Sequence, residues 1–309
     1  MFPGQGSQAV GMGKALADAF PLCQQTFDEA DAALCDPISR VCFEGPAEQL
    51  TLTENTQPAI LTVSIAAWRL LAARGYTPSF VAGHSLGEYS AHVAAGTLGF
   101  EDAVRIVRRR GRYMQEAVPV GTGAMAAILG LDAALVAQAC AEAAQGEVVS
   151  PANLNAPGQV VIAGGREAVA RAGERARELG ARRVIPLPVS APFHCALMIP
   201  AERRLAPELR ALRVTDPRVP VVANVDAEPK RDGGAAIEAL IRQVSMPVRW
   251  EASIRRLASE GVRAYVELGP GSVLSGLVRK IDREATVLNV DSPEGLDAVD
   301  ALFKSEGQA

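Results

Sequence analysis

Residues 78–96 read PSFVAGHSLGEYSAHVAAG, and this stretch sets the class of fold. Phe80-Val81-Ala82 is a short apolar run of the kind buried in a sheet, and Gly83-His84-Ser85-Leu86-Gly87 matches G-x-S-x-G. A helix is expected from about Leu86 to Ala95, stopped by Gly96. A serine in so tight a strand-to-helix turn takes a strained backbone, and small neighbours leave its hydroxyl standing clear of the sheet. The helix behind it turns its first N–H groups and the positive end of its dipole toward any reacting oxygen. Ser85 is therefore a candidate nucleophile. An ordinary helix-capping serine between two glycines is the alternative.

Outward from this turn, residues 8–20, 22–34, Thr53–Arg74 and Glu101–Ala117 read as helices, with Pro58 near the start of the third and Gly75 just past its end. Strand–turn–helix alternation indicates an α/β domain with a mainly parallel sheet. The middle differs. Strands at Ala124–Leu129, Val148–Ser150, Gln159–Ala163 and Arg183–Pro186, with helices at Ala133–Ala144 and Glu167–Leu179, give the order β-α-β-β-α-β. That is the ferredoxin-like split unit. It makes residues 121–188 a small subdomain interrupting a large domain of residues 1–120 and 189–309. The large pattern resumes with a helix at 200–211, a strand at Val219–Ala223 and helices at 234–243 and 251–260. A strand at Arg263–Glu267, a Gly-Pro-Gly turn and a helix at 272–282 follow. Lys304 to Ala309 are expected to fray.

The formal charge of -4 argues against nucleic acid or an anionic membrane as the main partner. No apolar run approaches the roughly 18 residues of a membrane span, and no cleavable signal opens the sequence. Cys23, Cys35, Cys42, Cys140 and Cys195 are scattered and include no C-x-x-C pair. Neither a disulfide scaffold nor a zinc site is expected, and a reducing cytoplasm is the simplest compartment.

A serine nucleophile needs a base, and the chain has three histidines. His84 neighbours Ser85 and is expected to point away; His92 lies within the helix among alanines. His194 follows Pro188-Val189-Ser190-Ala191-Pro192-Phe193, a proline-bounded loop suited to holding a side chain over a site. It is the base by elimination. The third member stays open, because Asp102 and Asp132 each open a helix and read as caps.

Residues 101–117, EDAVRIVRRRGRYMQEA, bear on the substrate. At helical spacing Ala103, Ile106, Val107, Met114 and Ala117 share one face, while Arg105, Arg108, Arg109 and Arg112 share the solvated one. Arg110 falls on the apolar stripe. A buried guanidinium keeps its charge and needs an anion. A core carboxylate is one candidate; the other is a substrate carboxylate gripped by the guanidinium fork.

One polar, glycine-rich stretch has no role on this reading. Gly4-Gln5-Gly6-Ser7-Gln8-Ala9 fits G-x-G-x-x-G/A, yet it lacks the strand before it and the acidic residue about 20 positions on that a dinucleotide site requires.

Taken in order, several motifs resemble the malonyl-CoA:acyl carrier protein transacylases and the acyltransferase domains of fatty-acid and polyketide synthases. They are Phe2-Pro3-Gly4-Gln5-Gly6-Ser7-Gln8, Thr56-Gln57-Pro58-Ala59, Gly83 to Ser90, Arg110-Gly111-Arg112-Tyr113-Met114-Gln115, Asn155-Ala156-Pro157-Gly158-Gln159, Pro192-Phe193-His194 and Glu267-Leu268-Gly269-Pro270-Gly271. The resemblance spans nearly the whole chain. It implies an α/β-hydrolase-like domain interrupted by a ferredoxin-like lobe. Ser85 would be acylated, His194 its base, and Arg110 the grip on the malonyl carboxylate. The backbone amides of Gln5 and Leu86 would form the oxyanion hole, which gives the glycine-rich loop its purpose. The main-chain carbonyl of Gln243 would orient His194 in place of an acid, so the Gln243 side chain is expected to be replaceable.

The ring of Phe193 would disfavour a branched methylmalonyl unit. The implied substrates are a coenzyme A thioester and the phosphopantetheine of acyl carrier protein. No metal or redox cofactor and a monomer are expected. Met1 stands where members of the family carry a short apolar strand, so that strand is expected to be clipped and Phe2 and Pro3 poorly anchored. Alternatives are a trans-acting acyltransferase of a polyketide synthase, a serine esterase or thioesterase, and a non-catalytic module binding the carrier. An esterase has no need of Arg110.

Overall fold

The strands, in chain order, are β1 Val81–Ala82, β2 Gly123–Leu129, β3 Val149–Ala156, β4 Gln159–Gly165, β5 Arg183–Pro186, β6 Val221–Val222, β7 Pro229–Lys230, β8 Ala264–Leu268 and β9 Thr286–Val290. They come from a computed structural model that describes residues 1–119 and 121–306, the last three by backbone alone. β1 pairs parallel with β6, and β8 parallel with β9, while β7 adds to β6 antiparallel. Met1 and Phe2 stitch the two groups together. The Phe2 N–H donates to the Ala82 carbonyl at 2.9 Å, and the Leu268 N–H donates to the Met1 carbonyl at 2.9 Å. Phe2 is 1 % exposed. The expectation of poor anchoring at Phe2 is thus corrected: burial of its ring and a bridge to Gly83 hold it in the sheet.

The helix Thr53–Ala73 runs through the large core, buried along most of its length from Thr53 to Leu71. Helices Pro21–Leu34 and Phe100–Glu116 pack against it. The middle of the chain forms a separate antiparallel sheet in the order β3-β4-β2-β5, covered by helices Ala133–Ala143 and Arg166–Glu178. Ile128, Val136, Val160, Ile162 and Val169 belong to its own apolar cluster. Residue 120, where one expected boundary falls, lies outside the described residues.

Several expected elements shift. The helix expected at 8–20 is reduced to Lys14–Ala19, because Gly11 and Gly13 sit at φ 94° and 76°, outside helical geometry. β3 extends beyond the expected Ser150 because its far half finds a second partner: Val248 exchanges 2.8 Å backbone bonds with Ala152 and Leu154. Helices Ile38–Glu44, Ala47–Thr51 and Pro293–Glu306, with β7 and β9, are additions. The final helix continues past Lys304 to Glu306, so no fraying is seen there; residues 307–309 of that expectation lie outside the described residues.

Candidate active site

The turn after β1 carries its serine at φ 52°, ψ −109°, a conformation costly for any side chain. Its surroundings hold it there. The Ser85 N–H donates to Asn224 Oδ1 (2.7 Å), Asn224 Nδ2 donates to the Gly83 carbonyl (2.7 Å), and Gln243 Nε2 donates to the Ser85 carbonyl (2.9 Å). The flanking glycines are required by contact. A Cβ on Gly83 would lie 1.9 Å from the Gly87 carbonyl, and one on Gly87 would lie 2.0 Å from the Phe2 carbonyl.

His194 reaches back over this turn, also at positive φ, 59°. Its Nε2 lies 2.7 Å from Ser85 Oγ and its Nδ1 2.9 Å from the Gln243 carbonyl oxygen. A carbonyl can only accept, so Nδ1 carries the hydrogen and the Nε2 lone pair faces the serine hydroxyl. Burial, then the nearby Arg110 charge, push the imidazole pKa down to about 3, which keeps it neutral and able to accept a proton. Where the sequence reading found no acid, this carbonyl faces Nδ1. Asp102 instead pairs with Arg105, and Asp132 sits at a helix N-cap without a side-chain capping bond.

Arg110 is 1 % exposed, on the apolar face of its helix. Its Nη1 donates to Gln57 Oε1 (2.8 Å), and its Nη2 donates to Gln243 Oε1 (2.9 Å) and Ser85 Oγ (3.1 Å). Its Nε has no partner, and among the described residues no carboxylate lies within ion-pair distance. Desolvation lowers its pKa. Of the two partners considered for this cation, the internal carboxylate is therefore not at hand in contact. The guanidinium stands beside the nucleophile with neutral acceptors only.

The glycine-rich loop lies against the turn, since a Cβ on Gly4 would come 2.4 Å from the His84 carbonyl. Gln5 Nε2 donates to Thr53 Oγ1 at 3.2 Å, and the backbone amides of Gln5 and Leu86 form no hydrogen bond among the described residues. Phe193, beside His194, is buried. His84 turns away, its Nε2 2.8 Å from Asn155 Oδ1. His92 is fully buried with both ring nitrogens unpartnered.

Besides the carbonyl that faces His194, Gln243 offers a fully buried side chain that bridges Arg110, the Ser85 carbonyl and Glu88 Oε2 (2.8 Å). Sequence reasoning also missed Gln57, Glu88 and Asn224. Asn224 had one available signal, a polar residue just past the end of a buried parallel strand, where open α/β sheets place their sites.

A serine in contact with a neutral, oriented histidine is equipped to take up an acyl group and release it. The adjoining cation is chemically suited to an anionic acyl chain. Such an arrangement is of the kind that acyl transfer through a serine requires. The chain belongs to the acyl transferase domain family, whose model matches residues 1–293, and it is an acyltransferase. It is 52% identical over 299 residues to the malonyl CoA-acyl carrier protein transacylase of Salmonella typhimurium, covering 96% of this chain and 97% of the relative. The crystal structure of an acyl carrier protein S-malonyltransferase from Vibrio cholerae superposes with a TM-score of 0.95 at 49% identity, over 96% of this chain and 98% of that one. A malonyl-transacylase solved in complex with a type II PKS acyl-carrier protein matches with a TM-score of 0.94 at 48% identity, over 96% of each chain.

Proposed function

We propose that the chain transfers a malonyl group from malonyl-CoA to the phosphopantetheine thiol of acyl carrier protein, through a malonyl ester on Ser85. The observation that carries this reading is the buried Arg110 guanidinium, 3.1 Å from Ser85 Oγ and without an internal carboxylate in contact among the described residues. The Ser85 hydroxyl gives its proton to His194 Nε2 as Oγ attacks the thioester carbonyl. The oxyanion is taken up by the unengaged amides of Gln5 and Leu86. Collapse expels coenzyme A, which leaves with the proton from His194. The carrier thiol then passes its proton to His194, attacks the ester carbon, and Ser85 departs as the hydroxyl. Arg110 holds the malonyl carboxylate throughout, and none of these steps calls on a metal or redox group.

Phe193 serves as the wall that disfavours a methyl branch. The large domain, residues 1–120 and 189–309, is read as α/β-hydrolase-like. The four-stranded unit within residues 121–188 is read as ferredoxin-like, on the support of its strand order. A monomer in the cytoplasm, feeding fatty acid synthesis, is the setting that fits. Among the described residues no helix is long and apolar enough to cross a membrane.

Intact-mass spectrometry after mixing with malonyl-CoA is expected to show one malonyl adduct, lost in Ser85→Ala. An adduct that survives in this variant ends the assignment.

A further inference from the structure

Glu88 has no part in the chemistry described so far, yet it is fully buried one turn into the helix that begins at the nucleophile. Its Oε2 accepts from two groups, Gln243 Nε2 at 2.8 Å and the Asn224 N–H at 2.9 Å; its Oε1 has no partner. Both donors are themselves committed to the site. The Gln243 amide turns its oxygen to Arg110 and its nitrogen to Glu88, so a single amide separates the cation from the carboxylate. Arg110 can only donate and a carboxylate only accept, which fixes that amide's orientation. Asn224, in turn, receives the Ser85 N–H and grips the Gly83 carbonyl.

We propose that Glu88 is the positioning residue of this site. Through Gln243 it supplies the displaced counter-charge that keeps Arg110 beside Ser85 before substrate arrives, and through Asn224 it secures the strained Ser85 peptide. The inference rests on the malonyl-transfer reading above and deepens it. A charge one amide away steadies the guanidinium without neutralising it, leaving its charge, its unpartnered Nε and the second Nη1 hydrogen for the incoming carboxylate; a direct ion pair would neutralise it.

The two functions separate by substitution. Glu88→Gln keeps an oxygen for both donors, removes the charge and puts an NH2 where the unpartnered Oε1 stood. Burial raises the Glu88 carboxyl to about 7, with Arg110 favouring ionisation and Asp226 opposing it, so assays at pH 8.5 compare an ionised group with a neutral one. With the counter-charge gone, Arg110 is no longer held in place beside Ser85, and the KM for malonyl-CoA is expected to rise on the order of fivefold, while that for acetyl-CoA stays the same. The kcat for both is expected to hold within about twofold, since the Asn224 clamp is kept. Glu88→Ala removes both functions, and kcat is expected to fall for both donors by about a hundredfold. A Glu88→Gln variant with unchanged or lowered KM for malonyl-CoA overturns the proposal, as does one in which both donors lose activity in parallel. The wild-type adduct tests malonyl transfer itself; the change in malonyl preference tests Glu88, so the two failures are distinct.

Discussion

Replacing Arg110 by alanine removes the cation in contact with Ser85 and takes three hydrogen bonds with it, to Gln57, Gln243 and Ser85 Oγ. An acetyl donor, which carries no carboxylate, loses only the contact to Oγ and the rigidity around it. One neutral-acceptor bond of that kind is worth about 1–1.5 kcal/mol, roughly a tenfold fall in kcat/KM. A malonyl donor loses in addition a two-pronged, charge-assisted grip from a buried guanidinium. Two such bonds at about 1.5–2 kcal/mol each amount to some 3–4 kcal/mol, or about two to three decades more. The expected signature is a fall of roughly a thousandfold or more for malonyl-CoA against about tenfold for acetyl-CoA. Initial rates of acyl-enzyme formation, followed by mass spectrometry for both donors, measure this ratio directly. Thermal unfolding of the variant should run alongside, because the acceptor oxygens of Gln57 and Gln243 are left buried. If the two donors lose rate in equal proportion, Arg110 braces the site and does not read the substrate.

Gln243→Ala keeps the carbonyl that orients His194 but strips partners from Arg110, Glu88 and the Ser85 carbonyl; transfer activity is expected to fall about a hundredfold, and full activity would show that only the backbone matters. His92→Leu addresses acid stability. Burial holds the His92 pKa down to about 3, against about 6.5 unfolded, so the stability this group contributes is present above 6.5 and is lost as pH falls toward 3. At pH 5 that loss is about 2 kcal/mol, and urea unfolding at pH 8 and pH 5 should show the leucine variant escaping it. Parallel pH dependence in the two proteins would count against this account; His194 and Glu88 titrate in both and cancel.

Ser85, His194 and Arg110 were legible in the sequence because each breaks a local rule: a serine in a strained turn, a histidine on a proline-bounded loop, a charge on an apolar stripe. The supporting polar groups break none. Asn224 and Gln243 are 139 and 158 residues from Ser85, and nothing in their own neighbourhoods shows what they face. Glu88 lay within a quoted motif, but helical spacing alone cannot show a carboxylate turned inward toward donors from two distant segments. The α/β class followed from alternation along the chain. The length of β3 did not, because it depends on pairing with Val248, nearly a hundred residues on. Short segments such as β7 and Ala47–Thr51 carry too few residues for a period to emerge.

The carbonyl that steers His194 has a consequence for which nucleophiles the acyl-enzyme admits. An uncharged acceptor does little to favour imidazolium, so the resting histidine is a feeble base. A thiol, with a pKa near 8.5, parts with its proton to such a partner far more readily than water, near 15.7, while Ser85 is helped to give up its own by the Arg110 Nη2 donation to Oγ. On the mechanism proposed here, a stored malonyl ester would outlast its aqueous surroundings and wait for sulfur.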